Sequence, residues 1–101
     1  MEVVYSGMLI IAGHLEVDPT ERDAYVAECQ AVVSAARSAD GCLAFAITAD
    51  SLEPGRICIY ERWEAEAPLL AFRGSGPSGD QQAAVLDADV RRYTISAVGD
   101  P

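Results

Sequence analysis

Hydrophobic and polar positions change period several times along the chain. From Met8 to Val17 both alternating sets are largely apolar, with Leu9, Ile11, Leu15 and Val17 on one side and Met8, Ile10, Ala12 and His14 on the other. That pattern predicts a strand covered on both faces. Asp18-Pro19-Thr20-Glu21 follows: a cap acceptor, a proline at the first helical position and a carboxylate at the third, which together predict a helix opened by a capping box. Tyr25, Cys29, Val32, Val33 and Ala36 then fall on one helical stripe, while Glu21, Asp23, Glu28 and Gln30 can face water. The helix is predicted to stop at Asp40-Gly41, where glycine can turn left-handed.

Strands are predicted over Cys42 to Ala49 and Arg56 to Glu64, joined as an antiparallel hairpin through Asp50-Ser51-Leu52-Glu53-Pro54-Gly55. A short helix over Glu66 to Arg73 precedes the breaker run Gly74 to Gly79, a second helical piece covers Asp80 to Asp87, and a last strand runs from Val90 to Val98. The glycine-rich run follows a helix and holds no lysine, so it is not a phosphate loop. Strand, helix, strand, strand, helix, strand is the order of a ferredoxin-like α+β sandwich, a four-stranded antiparallel sheet with helices on one face. Since the first strand is apolar on both sides, the uncovered face predicts a homodimer packed sheet to sheet.

Length and charge narrow the possibilities. The 101 residues amount to one domain, 1–101 with a core over about residues 8–98, and so short a chain gains by burying surface against a partner. Half the residues are apolar, and the longest apolar stretch, Met8 to Gly13, is too short to span a bilayer. No basic region precedes it, so the reading is of a cytoplasmic protein. Sixteen acidic against seven basic side chains give a formal charge of −9, which repels phosphate backbones and anionic lipid. Neither nucleic acid nor a membrane surface is an expected partner. Cys29, Cys42 and Cys58 lack a CxxC spacing and are odd in number, which argues against a disulfide framework and against a metal site.

Gly41-Cys42-Leu43-Ala44-Phe45, then Ile57-Cys58-Ile59-Tyr60-Glu61-Arg62-Trp63, then an alanine-rich helix from Glu66 resemble the antibiotic biosynthesis monooxygenase domain of the dimeric α/β barrel superfamily. The resemblance runs from about Met8 to Val98, and Glu61-x-Trp63 is its most recognisable element. It implies a homodimer whose cavities oxidise small aromatic phenols, quinols or polyketide-like substrates with molecular oxygen and no cofactor. Phe72 stands where many relatives carry a helix histidine, so that residue's role does not transfer. Haem-degrading relatives use side chains for which this chain offers Gly13, Phe72 and Gln82, and no imidazole is left for iron.

Cofactor-free oxygenation needs a dry cavity, a base for an acidic substrate proton and donors for the resulting anion. Pairing Ala49 with Arg56 would set Ala44 opposite Glu61 and Cys42 opposite Trp63, leaving space beside Ile57, Ile59, Glu61 and Trp63 under the helices. Trp63 is the first candidate, a flat wall and an indole donor, unless it is simply core. Glu61 can orient a donor or act as base if burial raises its pKa, or form a structural ion pair. His14 has a suitable ordinary pKa and otherwise belongs to core or interface. Antiparallel pairing of strands one and three puts His14 beside Cys58, roughly 16 Å from Trp63 at strand rise. Phe72, Ile59, Ala44 and Tyr93 are candidate lining residues, and Arg73, Arg91 and Arg92 are read as solvated. A small-molecule isomerase, or a dimer that binds an apolar ligand without catalysis, is the alternative.

Overall fold

The computed structural model describes residues 7–74 and 84–101. Its elements are β1 (Leu9–Glu16), α1 (Arg22–Glu28), α2 (Gln30–Arg37), β2 (Cys42–Ala49), β3 (Arg56–Trp63), α3 (Glu66–Arg73) and β4 (Asp87–Thr94). The strands form one antiparallel sheet in the order β2-β3-β1-β4, the ferredoxin-like α+β arrangement. None of the described helices is long and apolar enough to cross a membrane.

The capping signal works differently from its prediction. The Asp18 carboxylate accepts the Thr20 backbone N–H at 2.9 Å and its hydroxyl at 2.7 Å, and the Asp18 carbonyl accepts the Glu21 N–H at 2.9 Å. These bonds close a turn over residues 19–21, and α1 begins only at Arg22, without a side-chain cap. The single predicted helix is also two. The Cys29 N–H is shared between the Tyr25 and Val26 carbonyls at 3.1 Å each, and α2 restarts at Gln30. It stops at Arg37, three residues before the predicted end, because Ser38 and Ala39 tighten into bonds to carbonyls three residues back. Gly41 does take a left-handed φ of +80°, and a side chain there would strike Pro68.

The α3 bounds match their prediction. Residues 80–83 of the helical piece predicted over Asp80 to Asp87 lie outside the described residues, as does the breaker run beyond Gly74; Ala84 is helical, and Asp87 already belongs to β4. The last strand therefore starts earlier than Val90 and ends at Thr94 rather than Val98. Cross-strand pairing with β1 explains the shift: Asp87 aligns with Glu16 and Thr94 with Leu9, so β4 takes the length of its neighbour.

The hairpin register also differs by one residue. Ala49 pairs with Ile57, Ile47 with Ile59 and Phe45 with Glu61, and only past a bulge at Leu43 does Cys42 meet Trp63 as predicted. The loop supplies the cause. The Asp50 carboxylate accepts the N–H groups of Leu52 and Glu53, and its own N–H donates to the Arg56 carbonyl. Arg56 is thereby drawn against Asp50, one position later than a symmetric hairpin would put it. One slip of register exchanges the two faces of β2, so Phe45 and Ile47, rather than Ala44 and Ala46, share the helix-covered face with Ile59, Glu61 and Trp63.

That face holds the core, built on Leu9, Ile11, Ala36, Phe45, Trp63 and Leu69, with Val32, Val33, Ile47, Phe72 and Val90 packed around it. Gly13 sits on the same face between Ile59 and Val90. Its φ is +151°, and a Cβ placed there would lie 1.9 Å from the Asp89 carbonyl oxygen. Gly13→Ala is therefore expected to force β4 away from β1 and to destabilise the fold by about 3 kcal/mol or more, read as a lower midpoint in urea denaturation. An unchanged midpoint would mean that the edge strand adapts freely.

Candidate functional site

Three consecutive positions on the covered face of β3 bring Ile59, Glu61 and Trp63 under the helices, because alternate residues of a strand share a face. Trp63 is fully buried and Glu61 only 9% exposed. The indole Nε1–H donates to the Glu61 carboxylate at 3.0 Å. Phe72, from α3, lies against the indole with ring centroids 5.6 Å apart, and its other neighbour is Phe45 at 5.9 Å, edge to face. Phe72 thus joins the rings of Phe45 and Trp63 into one cluster, and Trp63 bonds the carboxyl group. Burial pushes the Glu61 carboxyl above its ordinary value, against the opposing pull of the Trp63 N–H and the Arg73 charge. Arg92, next to Ile11 on the same face, pairs with Glu66 and ties β4 to the start of α3.

Of the sequence candidates, the structure groups Trp63, Glu61, Ile59 and Phe72. It separates His14, which aligns with Cys58 and Asp89 on the other face of the sheet. The distance argument along the strand was sound in register, but alternation puts the histidine and the tryptophan on opposite sides. Cys58 donates its thiol to Asp50 Oδ1 at 3.5 Å, and burial first, then this carboxylate, holds the thiol above its ordinary pKa. Asp89 is held below the usual carboxylate range by its bond to Arg91 at 2.9 Å.

Ala44 and Tyr93 also belong to the open face, paired with Arg62 and Ile10 respectively. A groove of about 350 Å³ along the β2 edge is lined by residues of both faces, Cys42, Leu43, Ala44, Phe45, Ala46 and Tyr60, with Arg37 at its side, and the Arg37 guanidinium donates to the Phe45 carbonyl at 2.8 Å. Arg62 keeps its Nε buried with no hydrogen-bond partner among the described residues. Sequence reasoning missed Phe45 as a member of the aromatic cluster. The signal was the bulge, visible only as an odd residue too many between Gly41 and the hairpin. Among the described residues no group of His, Cys, Asp or Glu is arranged to hold a metal ion.

The family described as antibiotic biosynthesis monooxygenase matches residues 8–87. An uncharacterised Synechocystis protein is 26% identical over 61 residues, a match that covers 60% of this chain and spans 42% of that protein's length. Among solved structures, a Pseudomonas aeruginosa protein superposes with a TM-score of 0.77 at 19% identity, covering 88% of this chain and 94% of its own. A Chloroflexus aurantiacus protein assigned to the antibiotic biosynthesis monooxygenases gives 0.72 at 23% identity, covering 94% and 98%. At these identities the structural likeness speaks for the fold.

Proposed function

The chain belongs to the antibiotic biosynthesis monooxygenase family, and we propose that it is a cofactor-independent monooxygenase of small aromatic, quinol or polyketide-like substrates. The observation that supports this reading is the desolvated Glu61 carboxyl, held by the Trp63 indole, whose ring belongs to an aromatic cluster. A carboxylate whose pKa burial raises above its ordinary value is a stronger base for a phenol or an activated carbon acid. The anion so formed is electron-rich enough to reduce oxygen itself. A ring CH₂ beside a phenol becomes a carbonyl with one oxygen atom, and the second oxygen atom leaves as water with the two hydrogens, so the substrate supplies all the electrons. Phe72, half-buried against the Trp63 indole, offers a flat face to such a ring, with Ile59 on the same face of β3 and Arg73 as a charge that acts on the Glu61 carboxyl.

The active unit is a homodimer of single-domain subunits. Support comes from the open face, where Tyr60 and Tyr93 are 38% and 53% exposed among Ile10, Ala12, Ala44 and Ala46, an apolar surface of the kind that a partner covers. The test of function is oxygen consumption by the purified, metal-free protein with hydroquinones, naphthols and anthrones. Stoichiometric quinone product is the expected result, and no uptake with any of them overturns the reading. One observation favours a second reading, a dimer that binds such molecules without turning them over: His14 lies on the face away from Trp63. A ligand that raises the melting temperature without oxygen uptake would select it.

A further inference from the structure

A second concavity lies at the outer edge of the sheet, apart from Glu61. β2 is an edge strand, and α2 packs beside it. Between them runs a groove of about 470 Å³, an ordinary size for a small-molecule site. Val26, Val33 and Ile47 give it apolar walls, and Gln30, Ser34 and Ser38 give it neutral polar groups. One helical run supplies both, because Gln30, Ser34 and Ser38 recur every fourth residue in one row, with Val33 and Arg37 in the next. Among the described residues that line this groove, Arg37 alone is charged. It is also the one charged residue lining the neighbouring groove of the β2 edge, so the two meet at a single cation.

The setting of this guanidinium differs from that of the paired arginines. Arg22, Arg56, Arg91 and Arg92 each meet a carboxylate. Arg37 has no carboxylate partner among the described residues, in a chain with sixteen acidic side chains against seven basic ones. Its Nε–H donates to the Phe45 carbonyl at 2.8 Å, which fixes the guanidinium against the strand edge. Both terminal Nη groups are left without an acceptor among the described residues. A guanidinium held at Nε presents its Nη donors as a pair matched to the two oxygens of one carboxylate. A single cation balances a single negative charge, and the net charge of −9 repels a dianion such as phosphate more than a monoanion. The apolar walls then favour an acid whose body leaves water on binding.

We propose that the groove between α2 and β2 is a binding site for a small monocarboxylic acid with an apolar body, its carboxylate held by the Nη pair of Arg37 and its body against Val26, Val33 and Ile47. Nothing in this site depends on the chemistry at Glu61.

Calorimetric titration of the full chain tests it, with naphthoate as the acid and naphthamide as the same body without the charge. Backbone amide shifts on addition of naphthoate report where it binds in the wild type. The expected result is one naphthoate per chain, binding of the amide weaker by at least about tenfold, and shifts centred on Gln30, Ser34, Ser38 and Ile47. Arg37→Gln is expected to weaken naphthoate to the level of the amide. Equal binding of acid and amide overturns the proposal, as does the absence of binding at millimolar naphthoate. Shifts centred on the Trp63 indole N–H overturn it too and place the acid at the Glu61 site. An Arg37→Gln protein that keeps its naphthoate affinity also overturns it, and if that protein assembles into larger species, the arginine is a guard of the β2 edge.

Discussion

Glu61→Gln is expected to lower oxygen uptake by at least about 100-fold, the usual scale for loss of a positioned general base, while making the protein more stable at neutral pH. The amide oxygen can still accept the indole N–H that now reaches the carboxylate at 3.0 Å, so the wall of the site stays in place. What disappears is a charge that burial disfavours. The Glu61 pKa is raised in the folded protein, so between the ordinary carboxylate value and that raised value the folded chain binds more protons than the unfolded one. Stability contributed by the neutral form is full below the ordinary value and falls as pH rises through the raised one. The glutamine variant has no such fall. Activity runs the other way, since the base works only when deprotonated, and wild-type uptake should rise with pH along a limb set by Glu61. Oxygen-electrode rates and thermal denaturation, both as functions of pH, check the two halves. A variant that keeps wild-type uptake would remove Glu61 from the chemistry.

How far this site could be read from the sequence depends on which rule each residue obeyed. Trp63, Glu61 and Ile59 were legible because they lie two apart on a strand whose bounds were clear, and α3 was legible because Pro68 falls in its first turn, where a missing N–H does no harm. The β1 to β3 register was legible too, and His14 does face Cys58. Lost was the relation between faces: a strand apolar on both sides gives no clue to which side the helices cover. Phe45 was hidden by two small devices, the Asp50 turn and the bulge at Leu43, each of which shifts pairing by one position. Such shifts arise from side-chain bonds to the backbone, which hydropathy does not record. The break at Cys29, where one backbone N–H is shared between two carbonyls, was equally hidden, for its apolar stripe continues unbroken through both helices.

Trp63→Ala is expected to destabilise the fold by about 3–5 kcal/mol, the range for a fully buried large aromatic, which is a large part of what a small domain possesses. Leu9 pairs with Trp63 across the sheet, and Phe72 packs on the indole, so the cavity opens at the centre of the core. Trp63→Phe separates packing from hydrogen bonding. The ring remains, but the buried Glu61 carboxylate loses its donor, a loss of about 1–3 kcal/mol. Because the indole bond is one of the forces that lower the Glu61 pKa, its removal leaves burial less opposed and moves the acid limb of activity to higher pH. In the double variant with Glu61→Gln the charge that suffered from the missing donor is gone, so the two substitutions should cost less together than the sum of each alone. Urea denaturation of the four proteins measures that coupling. Strict additivity would mean that the indole and the carboxyl group act independently, and the site would then be an ordinary core that happens to contain an acid.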